Sequence, residues 1–232
     1  MDTIRTAELY AGPARTSDEL HQARALHTRR YEAVGLIGPQ PNNELYDDGW
    51  IEQREYLVVA TDTRVYGSAS LITPTDTLPT LRAFGIDGAH DRRLAAAWHR
   101  RRLAEVSALA IEAGSGGRPA VRALLYRALW RACERRLDHD QWIMTMRLDR
   151  FDALSRLFPV PFELLSRADS YHRQPAIACA LDLRLGRAAL ALRAPYLLAW
   201  LDAEHDDETA LVTSGPPSDM SPAIMGVRAD RS

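Results

Sequence analysis

The sequence predicts an α/β fold in which one mixed β-sheet carries helices on both faces. Of the 232 residues, 46% are hydrophobic, enough to bury a sizeable core in one fairly large domain. Short apolar segments typical of strands alternate with amphipathic segments of helical period. Their order is α, β, β, a variable segment, β, α, β, α, β, β, which is typical of a mixed sheet covered by helices.

The first predicted helix begins with a capping box. Thr16 and Glu19 have the spacing at which two side chains satisfy the first backbone N–H groups of a helix. The helix should extend to about residue 34, because Gly35 is a typical residue just after a helix end. Residues 35–54 mix Gly, Pro and Asn with polar and aromatic residues, and they predict an ordered loop.

The next two apolar segments flank the short polar turn Asp62-Thr63-Arg64, which predicts a β-hairpin. Residues 74–101 contain several prolines and are expected to be partly helical. The other elements are expected as follows: hairpin strands over 55–61 and 65–72, later strands over 103–111, 141–146, 162–166 and 176–183, and helices over 120–137, 149–157 and 185–204.

Domain limits follow from these elements. We expect residues 1–15 to be a flexible lead-in and residues 16–205 to form a single domain. Residues 206–232 are rich in Pro, Ser, Gly and Asp, and we expect a disordered tail there.

Composition excludes several classes of function. The formal net charge is −2, which argues against a dedicated nucleic-acid binder. All 29 positions counted as lysine or arginine are arginine, which excludes a lysine Schiff base and suggests a bacterium with GC-rich DNA. Cys133 and Cys179 have neither CxxC nor zinc-ligand spacing, so no metal is expected. No apolar run is long enough to span a bilayer, and a cytoplasmic location is expected.

A strand over 103–111 leads into a glycine-rich loop, and a helix follows at once. Free N–H groups at a helix start, together with the helix dipole, favour an anion such as phosphate. An ordinary strand-to-helix connection explains the loop equally well. The residues predicted to bind a phosphate-bearing co-substrate are Leu109, Ile111, Ser115, Gly116, Gly117, Arg118 and Arg122.

Five further segments extend this pattern: Arg30-Tyr31, Tyr46-Asp47-Asp48, Tyr56-Leu-Val-Val, Val65-Tyr-Gly-Ser and Glu105-Val-Ser. Over roughly residues 20–183 the chain resembles the GNAT acyltransferase superfamily, and within it the autoinducer-synthase-like branch. That branch contains acyl-homoserine-lactone synthases and N-acyl amino acid synthases. The resemblance implies a GNAT-like central sheet, mixed but mostly antiparallel, flanked by helices on both faces.

The resemblance also implies an N-acyltransferase that moves an acyl group from a thioester to a primary amine, which an amino acid could supply. It implies no tightly bound cofactor. The co-substrate would be an acyl-phosphopantetheine carrier protein or acyl-CoA. The expected partners are an acidic acyl carrier protein and a small amine or amino-acid acceptor.

Three positions depart from the related enzymes. The lactone synthases carry arginines where this chain has Ser70 and Ala108, so lactone synthesis is less expected than synthesis of an N-acyl amino acid or amine. Ordinary GNAT enzymes often place a tyrosine, the general acid, where this chain has Leu157. That acid is therefore absent or supplied by another residue.

The predicted catalytic residues are Glu105, Ser107 and His172. Glu105 begins the central strand and is the candidate base, although a surface ion pair with Arg101 or Arg102 would also explain it. Ser107 marks the point where strands of this fold would separate. Backbone N–H groups beyond it could then polarise the thioester. His172, after Tyr171, is the alternative base.

Asp47, Asp48 and Trp50 are predicted to line the acceptor site, because a carboxylate pairs with an ammonium and an aromatic ring packs on the carbon frame. A solvated acidic turn is the alternative. Tyr126 is a weak candidate acid, with core packing as its alternative.

An arginine stripe on the helix after the glycine loop could dock an acidic carrier protein or could simply be solvated. An acyl-chain pocket and ordinary core packing explain a set of apolar residues equally well. The stripe consists of Arg118, Arg122, Arg127, Arg131 and Arg135, and the apolar set of Phe84, Leu94, Trp98 and Trp142. The rival functions are an acetyl-CoA-dependent N-acetyltransferase of small metabolites and a non-catalytic module that binds an acyl group or a partner.

Overall fold

The computed structural model describes residues 9–41, 44–74, 76–113, 118–136, 139–148, 150–152, 159–171 and 174–203. Eight strands form one sheet: β1 (Tyr10–Pro13), β2 (Arg54–Ala60), β3 (Val65–Ile72), β4 (Leu103–Ile111), β5 (Gln141–Arg147), β6 (Phe162–Leu164), β7 (Asp169–Tyr171) and β8 (Gln174–Asp182). The helices are α1 (Ser17–Ala33), α2 (Pro79–Ala83), α3 (Ala95–His99), α4 (Arg118–Arg131), α5 (Leu183–Arg193) and α6 (Pro195–Asp202). A 3₁₀ turn covers Ile51–Gln53, and Ala132–Arg136 continue α4 in π-helical form.

The strands follow the order β1-β2-β3-β4-β5-β8-β6, and β7 pairs with β8. Every pairing is antiparallel except that of β4 with β5. The predicted mixed, mostly antiparallel sheet is therefore confirmed. The single parallel contact joins an antiparallel half built from β1 to β4 to a second half built around β8.

Helices cover both faces of the sheet, as predicted. The largest apolar cluster lies under α4, α5 and α6 and includes Leu125, Leu129 and Trp130 of α4. The opposite face carries two smaller clusters, one under α1 and one under α2 and α3. The candidate functional residues around Glu105 that are described below lie on this second face.

The predicted capping box at the start of α1 is present in altered form. The backbone N–H of Glu19 donates to Thr16 Oγ1 at 3.1 Å, as a capping box requires. The Glu19 carboxylate accepts instead from the backbone N–H and the guanidinium of Arg15. At the other end, Gly35 has φ +72° just beyond the helix, a conformation that favours glycine.

Two short strands were not predicted. Tyr10–Pro13 pair with β2 as an edge strand, so the expectation of a flexible lead-in over 1–15 is wrong for these residues. Asp169–Tyr171 pair with the first residues of β8. Segments this short carry too few residues to show an alternating pattern. The predicted tail over 206–232 and most of the helix predicted over 149–157, including Leu157, lie outside the described residues.

The docking role predicted for the α4 arginine stripe is wrong for Arg127 and Arg131. Arg127 is 5% exposed, lies over the Trp200 ring and donates to the carbonyl of Ala203 at 2.9 Å. Arg131 donates to the carbonyl of Leu201 at 3.1 Å. The last carbonyls of a helix lack intrahelical donors, so both arginines complete the end of α6 instead of facing a partner.

Replacing Arg127 should therefore lower stability. Arg127→Gln removes a charged donor to a helix-end carbonyl and the contact with Trp200, and we expect a loss of about 2 kcal/mol in the free energy of unfolding. Urea unfolding followed by circular dichroism measures this loss. The matched control is Arg193→Gln, at an exposed position in the last turn of α5. Equal stability of the two variants would contradict the structural role of Arg127.

Candidate functional site

The sheet opens where β4 leaves β5. The two strands pair only from Leu103 with Gln141 to Glu105 with Ile143. Beyond that point β4 continues along β3 to Ile111, and β5 continues along β8 to Arg147. Along this second half of β4, the backbone edge that faces β5 has no partner strand among the described residues. The predicted separation therefore occurs after Glu105, two residues earlier than Ser107.

A bulge follows directly in β4. The pairing with β3 shifts by one residue between Ser68 and Ser70, so β4 has one residue more than its partner there. Ala108 takes up the difference with φ +52°, which is unusual for a residue other than glycine. The bulge turns the backbone of β4 at the open edge, and Leu109 is 39% exposed beside it.

Paired residues of an antiparallel sheet place their side chains on the same face. Arg54 pairs with Ile72, and Ile72 pairs with Glu105. These three residues form one row across β2, β3 and β4. In the row two residues further along, Tyr56 pairs with Ser70, and Ser70 pairs with Ser107. The hydroxyl of Ser70 is buried without a hydrogen-bond partner among the described residues. These two rows place charged and hydroxyl side chains together at the opening of the sheet.

Glu105 lies at the centre of this group and is 2% exposed. Its carboxylate accepts the backbone N–H of Thr80, in α2, at 2.8 Å. Burial raises the pKa of Glu105 from 4.5 to about 7, because the ionised form loses its hydration. The backbone N–H and side chain of Thr80 act in the opposite direction. A carboxyl group with this pKa can accept a proton near neutral pH.

Other ionisable groups surround the carboxyl. Arg54, whose side chain is 2% exposed, pairs with Asp48 at 2.5 Å. Burial raises the pKa of Tyr31 to about 12, and it raises the pKa of Tyr171 as well. Negative charge on Glu105 adds to both increases. Both tyrosines are therefore protonated at neutral pH and can act as hydrogen-bond donors.

An apolar cluster adjoins the polar group on the same face. It contains Ile72 and Ile143, the strand residues on either side of Glu105, together with Leu94. Trp98 packs against the cluster, and Phe84 does so while stacking on Tyr171 with ring centroids 6.0 Å apart. Three of the four residues predicted for an acyl-chain pocket therefore belong to, or pack against, the cluster whose Ile72 and Ile143 pair with Glu105.

The fourth, Trp142, does not. It packs edge-on against Trp130 in the cluster on the other face of the sheet. Alternation along β5 places it opposite to its neighbour Ile143. Trp142 is therefore a core residue, and the prediction of a pocket role for it is wrong.

Comparison with known proteins identifies the family. The family model described as N-acyl amino acid synthase FeeM matches residues 22–184. The chain belongs to this family. It is therefore an acyltransferase enzyme that transfers an acyl group to an amine, as the sequence predicted. Comparison with curated protein sequences finds no match.

Solved structures share the fold. The structure of FeeM, an N-acyl amino acid synthase from uncultured soil microbes, has 22% identity and a TM-score of 0.58, covering 78% of this chain and 94% of that one. The acyl-homoserine-lactone synthase LasI has 15% identity and a TM-score of 0.59, covering 79% and 94%. The CoA-dependent lactone synthase BjaI, with SAM and isopentyl-CoA, has 15% identity and a TM-score of 0.57, covering 88% and 100%.

Within this N-acyl amino acid synthase fold, the predicted acceptor residues separate. Asp48 faces the group around Glu105 through its pair with Arg54, and its other oxygen accepts the Trp50 backbone N–H at 3.1 Å. Asp47 is exposed and accepts the Gly49 N–H at 2.7 Å, which is a local turn contact. Trp50 packs against the apolar cluster that contains Ile72.

The other candidates have mixed outcomes. Glu105 is not a surface carboxylate, and Arg102, one suggested partner, lies 3.2 Å from Asp140. Ser107 is half-buried on the Glu105 side of the sheet. Tyr126 packs against the cluster under α4 on the opposite face, which favours its core role. Burial raises the pKa of Tyr126 too.

Ser115, Gly116 and Gly117 of the predicted co-substrate site lie outside the described residues. The alternative base, His172, lies outside them as well. The same holds for the side chains of Arg118, which begins α4, and Arg135. Arg122 is half-buried on α4, and Ile111 ends β4. Phosphate binding by the glycine loop therefore stays a prediction.

Sequence reasoning missed Arg54, Thr80 and Thr145. Arg54 begins a strand, where a charged residue is usually solvent-exposed, and its burial is stabilised by the pair with Asp48, six residues earlier in the chain. Thr80 is completely buried, and its hydroxyl lies 2.8 Å from that of Thr145. The proline before Thr80 did signal a helix start, but no sequence pattern linked that start to Glu105.

Two predicted absences concern metals and membranes. No group of three or more His, Cys, Asp or Glu in the described ranges is arranged to hold a metal ion. Among the helices that the structure describes, none is long and apolar enough to cross a bilayer. Cys133 and Cys179 are both buried, and burial raises the pKa of Cys179 to about 12.

The raised pKa of Glu105 predicts a pH-dependent cost to stability. Between its ordinary value of 4.5 and about 7, the unfolded chain releases the Glu105 proton before the folded chain does. The free energy of unfolding should therefore fall as pH rises through this range, by up to about 3 kcal/mol. Glu105→Gln has no proton to lose, so its stability relative to wild type should rise with pH over the same range.

Urea unfolding of both proteins between about pH 5 and about pH 8 measures this difference. Glu52→Gln, at an exposed position of the same residue type, is the control. A stability difference between Glu105→Gln and wild type that stays constant with pH would show that Glu105 titrates normally.

Proposed function

We propose that this enzyme transfers an acyl group from a phosphopantetheine thioester to the α-amino group of an amino acid, with Glu105 as the base. The observation that supports this most is the buried Glu105 carboxyl, which lies at the last residue pair between β4 and β5. A base at the start of a gap in a sheet can reach a substrate that occupies the gap. The family's description as an N-acyl amino acid synthase supports the choice of acceptor.

The donor would enter between the separated strands. Pantetheine carries two amides, and the unpaired edge of β4 beyond Glu105 offers backbone groups that could hydrogen-bond to them. Near the Ala108 bulge, a backbone N–H could polarise the thioester carbonyl. The acyl chain would extend into the apolar cluster near Phe84 and Leu94.

The acceptor would bind on the Asp48 side. An amino acid arrives mostly as an ammonium ion, for which the Asp48 carboxylate is a suitable partner, and Arg54 holds that carboxylate in place. Asp47 is left out of this role because its carboxylate serves a local turn.

The proposed reaction is attack of the amine on the thioester carbon, with loss of the thiolate. Glu105 takes one proton from the ammonium, and the free amine attacks the thioester carbon to form a tetrahedral intermediate. When the C–S bond breaks, the thiolate leaves, the nitrogen releases its second proton to solvent, and Glu105 then releases the first proton to solvent as well. Tyr171 is the proposed donor to the thiolate, because Leu157 replaces the usual tyrosine and Tyr171 interacts with Glu105. Tyr171 is then reprotonated from solvent.

A carrier protein and CoA present the same phosphopantetheine thioester, so the proposed reaction accommodates either donor. The internal contacts of Arg127 and Arg131 remove two residues from the surface proposed for a carrier. We place the reaction in the cytoplasm of a bacterium, on the basis of the all-arginine composition and the absence from the sequence of an apolar segment long enough to span a membrane.

The decisive assay is direct. The protein is incubated with acyl-CoAs and acyl carrier proteins of several chain lengths plus pooled amino acids and simple amines, and amides are detected by mass spectrometry. N-acyl amino acids should form. No amide from any donor would overturn the proposed function, and amides of simple amines alone would overturn the proposed acceptor.

Glu105→Gln should lower kcat/KM by about 100-fold or more, as expected for loss of a general base. Glu52→Gln, at its exposed position, should retain wild-type turnover. Undiminished turnover in Glu105→Gln would remove Glu105 from the mechanism while leaving the acyl transfer itself intact.

A further inference from the structure

The start of α2 depends on Glu105. The N-cap residue of this helix, Leu78, has no side chain that can cap it. The second helical residue, Thr80, donates its backbone N–H to the Glu105 carboxylate at 2.8 Å. An N–H group in the first helical turn has no partner within the helix. The carboxylate that serves as base in the proposed function therefore also completes this helix end.

The Thr80 side chain extends the connection to β5. Thr80 is fully buried, and its Oγ1 lies 2.8 Å from Oγ1 of Thr145. A hydroxyl has one proton to donate but can accept as well. This contact ties the start of α2 to β5, and the Thr80 side chain lowers the pKa of the Glu105 carboxyl as well.

We propose that Thr80 is a positioning residue: its hydroxyl, bonded to Thr145, ties the start of α2 to β5, and its backbone N–H holds the Glu105 carboxylate in one orientation and favours the ionised form. This inference rests on the proposed role of Glu105 as base. It goes beyond that role by assigning a function to the hydrogen bonds that connect β5, α2 and β4.

Other ionisable groups also act on Glu105 and must stay unchanged in the test. Arg54, from β2, favours its ionised form, and Asp48, from the loop before β2, opposes it. Tyr31, from α1, and Tyr171, from β7, also interact with Glu105. Substitutions at Thr80 leave all four groups in place, so a change in the pH profile reports on the hydroxyl.

The test is the pH dependence of kcat/KM, measured with a decanoyl thioester and the amino acid that the product assay identifies. Wild type should lose activity as pH falls through the pKa of Glu105, about 7. Thr80→Val keeps the backbone N–H but removes the hydroxyl. The acid limb of the pH profile, where kcat/KM falls with falling pH, should move up by about 1 pH unit. This corresponds to about tenfold lower kcat/KM at acid pH and little loss at alkaline pH.

Three variants accompany it. Thr80→Ser retains a hydroxyl and should restore the wild-type limb. Thr145→Val removes the hydroxyl partner of Thr80 but leaves the Thr80 hydroxyl in place, and it should move the limb in the same direction by less. Thr63→Val, at an exposed turn position, is the control and should change nothing.

An acid limb that stays at the wild-type pH in Thr80→Val would overturn the inference. A uniform loss of activity at all pH values would do so too, because it indicates a structural role only. If Thr80→Val does not fold, Thr145→Val decides, and an unmoved limb in that variant overturns the inference.

Failure of the proposed function is distinguishable from failure of this inference. If Glu105→Gln keeps full activity, the base assignment fails, whatever Thr80 does. If Glu105→Gln is inactive and the Thr80→Val limb does not move, the base assignment stands and only the role of Thr80 fails.

Discussion

The short parallel contact between β4 and β5 is the constraint on which the rest of the structure depends. Three residue pairs join the two halves of the sheet, and the last pair contains Glu105. Because β4 then follows β3 while β5 follows β8, the backbone opens without breaking either antiparallel half. The bulge at Ala108 lies just beyond the opening. One break in strand pairing thus sets the position of Glu105, the proposed base, at the edge of the opening.

Burial of Glu105 has a cost that its neighbours only partly offset. Removing a carboxylate from water disfavours its charge, and the amide of Thr80 and the guanidinium of Arg54 return part of that loss. The remaining free-energy cost of ionisation leaves the pKa of Glu105 at about 7. This value suits a base that works near neutral pH, but the ionised carboxyl lowers the stability of the fold. Functional sites commonly show this exchange of stability for reactivity.

The arginines show how one residue type serves different purposes in this chain. Arg127 and Arg131 complete the end of α6, and Arg54 holds a carboxylate inside the site. Burial of the guanidinium is offset in part in each case because a carbonyl or carboxylate oxygen accepts one of its N–H groups. A stripe of arginines on a helical diagram is therefore insufficient to identify a docking surface.

The sequence by itself determined the order of the longer elements, the hairpin and the bounds of β3 and β4, because these depend on local periodicity and turn residues. It also singled out Glu105 as a candidate base through the resemblance to a known family. Only the tertiary structure decided which side chains meet. The row from Arg54 to Glu105 depends on strand register, and the contact of Thr80 with Glu105 joins residues 25 positions apart. Trp142 and Ile143 are neighbours in sequence but lie on opposite faces, since a strand alternates its side chains. Local patterns carry no information on register between distant strands, so the site as a set of contacts appears only once the sheet has formed.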